Sequence, residues 1–588
     1  MRKSIFCLLL MLIICPFTLL RANPISFNMS GLLKIVQFTD VHYKVNNPEN
    51  SSLSLEAIEK ALEIEAPDVV ILTGDIVTDK PVLQGWDEVV APIVKRGIPF
   101  AVTFGNHDDE SGVSRSEIMK HLRGIKGCLN SQIGGENDFD GVISVGSSHG
   151  DSVAAALYVF DSNAYSTIPS LPGYGWLLPS QVAAYNELSA RMTKDNGGEP
   201  LPSLAFLHIP IPEYKIAFEK SSLYLNVGER LENECPAALN TGLYASMKIN
   251  GDVMGMFCGH DHDNDYLADM DGIAMSYGRF TGSKNTYTST ENGARVITLR
   301  EGVRSFDTHI RLRSGGVINN CSYPSKDVRA MSFNIRMATT SDGDNQWKNR
   351  RGSVVECVKS FGVDILGVQE ALQEQVDYMK RELKAYSLIG VAREDGDTKG
   401  EYCAIMYRND RYKEVKSGNF WLSKDPSAVG VKGWDAACER IATWAVLKDS
   451  RTGSSLFVLN THFDHVGRKA QAESAKLIKR KIAELKGEVE NVIVMGDLNV
   501  TPDNPAIAEM LKATKSIRLV DSRGVAESIE GPAWSFHGFE SVELSKRPLI
   551  DYIFVSEGAA VKSQSIIYNA ESKRSISDHN PILSIISF

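Results

Sequence analysis

The sequence predicts an α/β fold divided into two domains. At 588 residues the chain is too long for one hydrophobic core, so two domains of about 250–300 residues each are expected. Short apolar runs that end in polar clusters alternate with segments whose apolar residues recur every three or four positions, as strands alternating with helices do. A turn-rich stretch at residues 318–327, which carries Pro324, separates the two halves of this pattern.

The composition excludes some classes of protein. The 43% hydrophobic and 23% charged fractions are ordinary for a globular protein. A formal net charge of −10 argues against a sequence-independent grip on nucleic acid, which needs basic surface, although nucleic acid could still be a substrate. The cysteines are scattered and form no C-x-x-C pair, so neither a zinc ribbon nor a dense disulfide framework is indicated.

The first 22 residues are typical of an export signal. Arg2 and Lys3 precede a long apolar run, and Ala22 stands at a plausible cleavage point. The alternatives are a retained membrane anchor or a lipoprotein signal that uses Cys15. We predict an exported protein, periplasmic or secreted, with no stable membrane span after the signal is removed.

The strand-like runs of the sequence end in polar residues. In the first half they are LLKIVQFTDVH, DVVILTGD, FAVTFGNHDD, LAFLHIP and VMGMFCGHDH, and in the second half VRAMSFNIR, DILGVQE, FVLNTHFDH, VIVMGDLN and LIDYIFVS. Helical segments intervene, such as SLSLEAIEKALEIEA and RKAQAESAKLIKRKIAEL. Because sites in α/β proteins lie at the carboxyl ends of strands, the polar residues that end these runs are the candidates.

The first half offers a set of metal-ligand types in order along the chain: Asp40, His42, Asp75, Asn106, His107, Asp108, His208, His260 and His262. Two divalent ions a few ångströms apart need about four N or O ligands each, with one carboxylate that bridges them. A water shared by two such ions loses its proton near neutral pH and can attack phosphorus in line. The alternative, a series of solvated loop residues, does not explain their order and spacing.

This set, together with ALYVFDSN and the YGRF–GARVITL ending, resembles the purple acid phosphatase-like branch of the calcineurin-like metallophosphoesterases. The resemblance implies a domain over residues 28–320 with two metal sites, one formed by Asp40, His42, His262 and the bridge Asp75, the other by Asp75, Asn106, His208 and His260. It also implies that His107 protonates the leaving oxygen and that Asp108 orients it. The first motif is Asp-x-His, so an iron–tyrosinate centre is not expected, and the metals stay open among iron, manganese and zinc.

The second half carries a different set: Asn334, Glu370, Glu401, His462, Asp497, Asn499, Asp551, Asp578 and His579. A Mg²⁺-assisted hydrolysis needs few protein ligands, because the ion keeps waters and takes other ligands from the substrate phosphate. It also needs a histidine base held by a carboxylate and donors around the phosphorus.

This second set resembles the endonuclease/exonuclease/phosphatase superfamily, which includes DNase I. The resemblance implies a domain over residues 327–588 in which Glu370 and Asn334 bind Mg²⁺ or Mn²⁺, completed by Asp578. Asp497 and Asn499 would position water and phosphate, and His579, oriented by Asp551, would be the base. His462, paired with Glu401, would stabilise the transition state.

Four residues are candidates for substrate binding in the second half: Trp347, Arg350 and Arg351 of the stretch DGDNQWKNRR, and His537 of HGFE. The alternative for the first three is the start of a helix with exposed basic residues. No inositol-phosphatase signature and no lipid-inserting aromatic hairpin is evident in the sequence.

Both resemblances imply domains made of a sandwich of two mixed β-sheets flanked by helices. Two phosphoesterase sites on one exported chain predict a C-terminal phosphodiesterase and an N-terminal phosphomonoesterase. Their expected substrate is a phosphorylated glycan, a lipid headgroup or a similar molecule outside the cytoplasm. The alternatives are a secreted nuclease and nucleotide phosphatase that scavenges phosphate, and a surface-binding protein with one or no active domain.

Overall fold

The computed structural model describes residues 25–131, 140–220, 226–568 and 575–588. The predicted export signal lies outside these residues. Within them the chain separates into two compact units. The first comprises the residues up to Phe218 together with Val227–Cys321, and the second comprises Ser322–Phe588. In the described ranges, each helix is too short or too polar to cross a membrane.

Two mixed sheets form the first unit. Its strands are β1 (Ile25–Ser26), β2 (Leu32–Phe38), β3 (Val69–Thr73), β4 (Phe100–Thr103), β5 (Gly141–Gly146), β6 (Val153–Val159), β7 (Ser203–Phe206), β8 (Val253–Cys258), β9 (Leu267–Met270), β10 (Ile273–Tyr277), β11 (Gly293–Arg300), β12 (Phe306–Leu312) and β13 (Val317–Tyr323). The sheet orders are β1-β5-β6-β7-β8-β10-β9 and β13-β12-β11-β2-β3-β4. Strands β2, β3 and β4 run parallel, as do β6, β7 and β8.

Helices cover the outer faces of both sheets: α1 (Pro48–Glu65), α2 (Val82–Lys95), α3 (Arg115–Arg123), α4 (Pro179–Asp195), α5 (Glu213–Lys220) and α6 (Leu243–Asn250). The segment predicted to be helical at residues 52–66 lies almost wholly in α1. Helix α3 begins with a capping box between Ser114 and Glu117, which satisfies two backbone amides at its start. Trp86 of α2 is fully buried in the core that α1, α2 and α3 form with the β2–β4 sheet.

Glu65, at the end of α1, joins that helix to two strands. Its carboxylate accepts hydrogen bonds from His309 (3.0 Å) and Arg311 (2.8 Å) of β12 and from Lys34 (3.1 Å) of β2. Burial alone would raise the pKa of Glu65, but these donors outweigh it and lower that pKa from 4.5 to about 2. The charged form of Glu65 is therefore the stabilising one.

The Glu65→Gln variant is expected to lower the free energy of unfolding by about 1–3 kcal/mol at neutral pH, because charged hydrogen bonds are lost. Since the folded pKa is depressed, this contribution is complete above pH 4.5 and is lost as the pH falls towards 2. Urea unfolding of the wild type and the variant at about pH 7 and about pH 3 checks this prediction. The difference between their free energies of unfolding should shrink at the lower pH. Glu63→Gln, an exposed position of the same helix, is the control. A gap that does not change with pH would contradict this account.

The second unit also has two mixed sheets. Its strands are β14 (Val328–Asn334), β15 (Ile365–Ala371), β16 (Tyr386–Ile389), β17 (Tyr402–Arg408), β18 (Tyr412–Trp421), β19 (Ile441–Asp449), β20 (Ser455–His462), β21 (Asn491–Asp497), β22 (Leu519–Asp521), β23 (Ser528–Glu530), β24 (Asp551–Ser556), β25 (Ala560–Ile566) and β26 (Ile582–Ser587). The sheet orders are β16-β17-β15-β14-β26-β25-β23 and β18-β19-β20-β21-β24-β22.

Apolar side chains of both sheets meet in one inner layer, with Ile365 and Ile405 from one sheet and Val458, Ile493 and Ile553 from the other, all buried. The outer faces are covered by α7 (Trp347–Ser360), α8 (Gln373–Glu382), α9 (Arg468–Leu485) and α10 (Pro505–Leu511), and a short helix, α11 (Ser522–Val525), follows β22. Helix α9 coincides with the predicted segment RKAQAESAKLIKRKIAEL. The predicted α/β class, with a two-sheet sandwich flanked by helices in each domain, is confirmed.

The predicted turn-rich boundary is mostly a strand. Residues 318–323 belong to β13, the edge strand next to β12 in the first unit. Only Pro324–Asp327 separates β13 from β14. An edge strand makes hydrogen bonds along one side only, so polar residues such as Asn319 and Asn320 are tolerated there, and the composition resembles that of a loop.

Arg411 fixes the start of the second unit. Its guanidinium is fully buried and donates to the backbone oxygens of Lys326 (2.8 Å) and Asp327 (2.7 Å). It also donates to the carboxylates of Asp364 (2.9 Å) and Asp449 (2.8 Å). One cation thus joins the first residues of the domain to two strands.

The Arg411→Met variant is expected to destabilise the second unit by about 3–5 kcal/mol, because two buried carboxylates lose their shared cation. Urea unfolding followed by tryptophan fluorescence measures this. The control is Arg408→Met, which breaks a half-exposed pair with Asp410 and should cost at most about 1 kcal/mol. Equal losses of stability in both variants would show that the buried Arg411 cluster stabilises the domain no more than the Arg408–Asp410 pair does.

Candidate active sites

The candidate site of the first unit forms where strands of both sheets end. The loops after β2, β3 and β4 of one sheet, and after β7 and β8 of the other, carry its side chains: Asp40, His42, Asp75, Asn106, His107, His208, His260 and His262. Every ligand predicted for the two metal sites therefore lies at one rim.

Left-handed backbone conformations occur at four of these positions: Asp40 (φ 53°), His42 (φ 45°), Asp75 (φ 53°) and His260 (φ 80°). Such conformations cost about 1–3 kcal/mol each in non-glycine residues and persist where the surrounding structure enforces them. Gly259 is needed before His260, because a Cβ there would lie 1.9 Å from Thr39 Oγ1. These sharp bends turn the side chains into a common space.

The side chains form two groups of ligand type. Asp40, His42 and His262 make one, and Asp75, His208 and His260 make the other. Asp75 Oδ2 lies 3.3 Å from His208 Nε2 and 3.8 Å from His42 Nε2, so this carboxylate borders both groups. That is the position of a bridging ligand between two ions.

The donor atoms fit divalent cations. Asn106 Oδ1 and His260 Nε2 are buried and have no hydrogen-bond partner among the described residues. The Nδ1 atoms of His208 and His262 donate to the backbone oxygens of Thr73 (2.7 Å) and Tyr287 (2.9 Å), which leaves Nε2 of each ring as the atom that could bind a metal. A buried polar atom without a hydrogen-bond partner costs free energy unless an ion binds to it.

The protonation states agree with this fit. Burial lowers the pKa of His42 to about 4 and that of His260 to about 3, so both rings are neutral and able to bind metal. Burial also acts against protonation of His208, but Asp75 and Asp40 outweigh it and raise its pKa to about 10. A cation next to those carboxylates would replace that proton.

His107 lies beside these groups, and its ring is 39% exposed. Its Nδ1 donates to Glu110 (2.6 Å), and Tyr165 donates to the same carboxylate (2.8 Å). Asp108, predicted to orient His107, is buried and instead accepts the backbone amides of Asp75 (2.9 Å) and Gly105 (2.7 Å). The orienting carboxylate is therefore Glu110, three residues after His107, and Asp108 holds the backbone of the ligand loops.

The candidate site of the second unit also lies at a rim shared by two sheets. Its residues end β14, β15, β20 and β21, begin β24 or precede β26: Asn334, Glu370, His462, Asp497, Asn499, Asp551, Asp578 and His579. Glu370 (φ 61°) and Asn499 (φ 52°) have left-handed backbones, as the ligand residues of the first site do. Glu370, His462 and Asp497 together form a group of metal-ligand type.

Asn334 connects two carboxylates in this site. Its amide nitrogen donates to Glu370 Oε1 (3.0 Å) and Asp497 Oδ2 (2.9 Å), and its amide oxygen accepts the Arg336 amide (3.0 Å). Asn334 was predicted to bind the metal directly. In this arrangement it tethers Glu370 and Asp497, and those two carboxylates could hold the ion.

His579 and Asp551 form the predicted dyad. His579 Nδ1 donates to Asp551 Oδ2 (2.8 Å), and Nε2 lies 3.6 Å from Asp497. Burial opposes protonation of His579, but Asp551 and Asp497 raise its pKa well above the ordinary value. A divalent cation at Asp497 would counter this effect and free Nε2 to act as a base.

His462 is held mainly by Asn499, whose Nδ2 lies 2.9 Å from His462 Nε2. Glu401, its predicted partner, lies 3.9 Å from His462 Nδ1 and accepts a shorter hydrogen bond from Arg393 (2.6 Å). Burial lowers the pKa of His462 well below its usual value, and Arg440 and Arg393 lower it further. His462 is therefore a neutral hydrogen-bonding group.

Arg336 is a site residue that the sequence analysis missed. It pairs with Asp342 (3.2 Å) and lies 3.7 Å from Glu370 and 3.8 Å from Asp578. It stands two positions after Asn334 in the run MSFNIR, and that spacing was the available signal. Asp578, predicted to complete the metal site, lies 3.8 Å from the Arg336 guanidinium.

Three of the predicted substrate-binding residues are structural. Arg350 is buried, and its guanidinium donates to the backbone oxygens of Ile335 and Arg336, so it cannot grip a ligand. Trp347 is buried beside Arg350 and Tyr378, and His537 is buried with its Nδ1 accepting the Glu540 amide. Arg351 is exposed and lies over Tyr378 (4.7 Å) on the outer helical layer. Trp347, Arg350 and Arg351 thus lie at the start of a helix, as the alternative for these three residues expects, but Arg350 is buried.

Comparisons with known proteins match both halves of the chain. The model of the calcineurin-like phosphoesterase family matches residues 33–264, and that of the endonuclease/exonuclease/phosphatase family matches residues 331–579. The first half is 27% identical, over 319 residues, to an Arabidopsis thaliana protein named Probable inactive purple acid phosphatase 29, covering 47% of this chain and 81% of the relative.

Two solved bacterial structures match the second half. The endonuclease/exonuclease/phosphatase of Bacteroides vulgatus is 40% identical, covering 44% of this chain and 98% of its own, with a TM-score of 0.43. A mannosyl-6-phosphatase of Bacteroides thetaiotaomicron is 34% identical, covering 44% of this chain and all (100%) of its own, with a TM-score of 0.42. The two family models thus identify a calcineurin-like phosphoesterase domain followed by an endonuclease/exonuclease/phosphatase domain in this chain.

Proposed function

We propose that this hydrolase cleaves two phosphoric ester bonds in succession. The C-terminal site cuts a phosphodiester of a phosphorylated glycan or lipid headgroup outside the cytoplasm, and the N-terminal site removes the monoester that remains. The observation that carries this proposal is that one chain holds two complete but different sets of catalytic groups. A shared chain raises the effective concentration of the intermediate at the second site.

In the N-terminal site, the residues would act as follows. The two ligand groups around Asp75 would hold two divalent ions, which when bound neutralise the phosphate and activate water. His107 faces solvent, and its Nδ1 donates to Glu110, so Nε2 is the ring nitrogen that would pass a proton to the leaving oxygen.

In the C-terminal site, Glu370 and Asp497 would hold one Mg²⁺ or Mn²⁺, which when bound neutralises the phosphate oxygens. Asp551 holds His579 through Nδ1, so Nε2 takes the proton of the attacking water. His462, neutral, accepts a hydrogen bond from Asn499 Nδ2 at its Nε2 and so fixes the Asn499 side chain beside Asp497.

A substrate panel tests the proposal with intact protein, Asp75→Ala and Asp497→Ala. The panel contains DNA, RNA, sphingomyelin, inositol phosphates and a phosphodiester-linked glycan, each assayed for bond cleavage and phosphate release. We expect Asp497→Ala to stop diester cleavage and Asp75→Ala to let the monoester accumulate. Full activity of both variants would overturn the proposed sites. Cleavage of DNA or RNA alone would favour a phosphate-scavenging nuclease instead.

A further inference from the structure

Three tyrosines surround the ligand groups of the N-terminal site. The ring of Tyr174 meets His260 edge-on with centroids 4.2 Å apart, and the ring of Tyr287 stacks on His262 at 4.4 Å. Tyr165 accepts a hydrogen bond from Asn106 (3.2 Å) and stacks on Tyr174. These tyrosines therefore touch residues of both ligand groups.

The tyrosines are also the solvent-facing part of the site. Tyr165 is 45% exposed and Tyr287 is 55% exposed, whereas His260 and His262 are buried. A phosphate bound between the two ligand groups would leave its organic part outside, against these rings. Aromatic rings bind the apolar face of another ring more readily than a flexible polar chain.

The polar groups beside the tyrosine rings favour one kind of substrate ring. Tyr165 donates to Glu110 (2.8 Å), and Tyr287 donates to Glu232 (3.0 Å). Carboxylates and phenol oxygens accept hydrogen bonds from hydroxyl groups and repel further negative charge. The surroundings thus suit a neutral ring that carries several hydroxyl groups.

We propose that the N-terminal site hydrolyses phosphomonoesters of neutral sugars, with the sugar ring lying against Tyr165, Tyr174 and Tyr287. This inference rests on the proposed monoesterase function and names the substrate of that site. A water oxygen forms the new bond to phosphorus, the bond from phosphorus to the sugar oxygen breaks, and that oxygen takes a proton. No redox partner is needed.

The test measures phosphate release in the Asp497→Ala background, which silences the other site. The probes are a hexose 6-phosphate, glycerol 3-phosphate, which has no ring, and adenosine 5′-monophosphate. We expect kcat/KM for the hexose ester to exceed that for the glycerol ester about tenfold. Tyr174→Leu and Tyr287→Leu should reduce this ratio about tenfold, mainly through KM.

Two further variants separate the ring from the fold. Tyr174→Phe, which keeps the ring, should restore most of the ratio. Tyr244→Leu, a half-buried tyrosine on α6 whose hydroxyl donates to Met270, should leave the ratio unchanged. Equal rates on hexose and glycerol esters, or a preference for the adenosine ester, would overturn this inference while leaving the monoesterase proposal standing. No phosphate from any of the esters would overturn both.

Discussion

The Asp75→Asn variant is expected to lose about 10³-fold of the phosphomonoesterase activity, which corresponds to about 4 kcal/mol of transition-state stabilisation. Asp75 borders both ligand groups of the N-terminal site, at 3.3 Å from His208 and 3.8 Å from His42. An amide has no negative charge to share between two cations, so bound metal should be lost together with activity.

Metal content by mass spectrometry, with kcat on a monoester, checks the Asp75 prediction. Asp87→Asn is the matched control, because Asp87 lies exposed on α2, where it pairs with His121. A variant that keeps both its metal and its kcat would contradict the bridging role of Asp75.

The Asp551→Asn variant is expected to lower kcat of the C-terminal site about 10³-fold with little change in KM. Asp551 is buried and accepts the Nδ1 proton of His579 at 2.8 Å. The amide that replaces it can present its nitrogen to Nδ1, which moves the ring proton to Nε2 and removes the base.

Diester cleavage in the presence of Mg²⁺ measures the Asp551 effect. The control is Asp410→Asn, since Asp410 forms a half-exposed pair with Arg408. A kcat within about threefold of the wild type would show that His579 needs no carboxylate partner.

The strand-end motifs predicted that the candidate side chains lie at the carboxyl ends of buried strands, because the physics of those motifs is local. An apolar run that ends in Gly-Asp or Gly-His specifies both a buried strand and a side chain at its carboxyl end. The pairing of side chains was harder to predict. Asp108 is next to His107 in sequence, yet the turn directs Asp108 to backbone amides and Glu110 to the ring.

The predicted substrate-binding stretch failed for a related reason. Trp347 and Arg350 have the composition of a binding surface, but a helix that starts at Trp347 directs both inward. Arg350 then satisfies backbone oxygens at the end of β14. The need of these backbone oxygens for hydrogen-bond donors depends on the three-dimensional path of the backbone, which the sequence does not show.

The most direct test of two successive hydrolytic sites is a ³¹P NMR time course on a phosphodiester-linked glycan. It compares the intact protein with Asp75→Asn and Asp497→Asn. We predict a transient monoester and then inorganic phosphate with the intact protein, a persistent monoester with Asp75→Asn, and uncleaved diester with Asp497→Asn. Inorganic phosphate released at the wild-type rate by either variant would contradict the account.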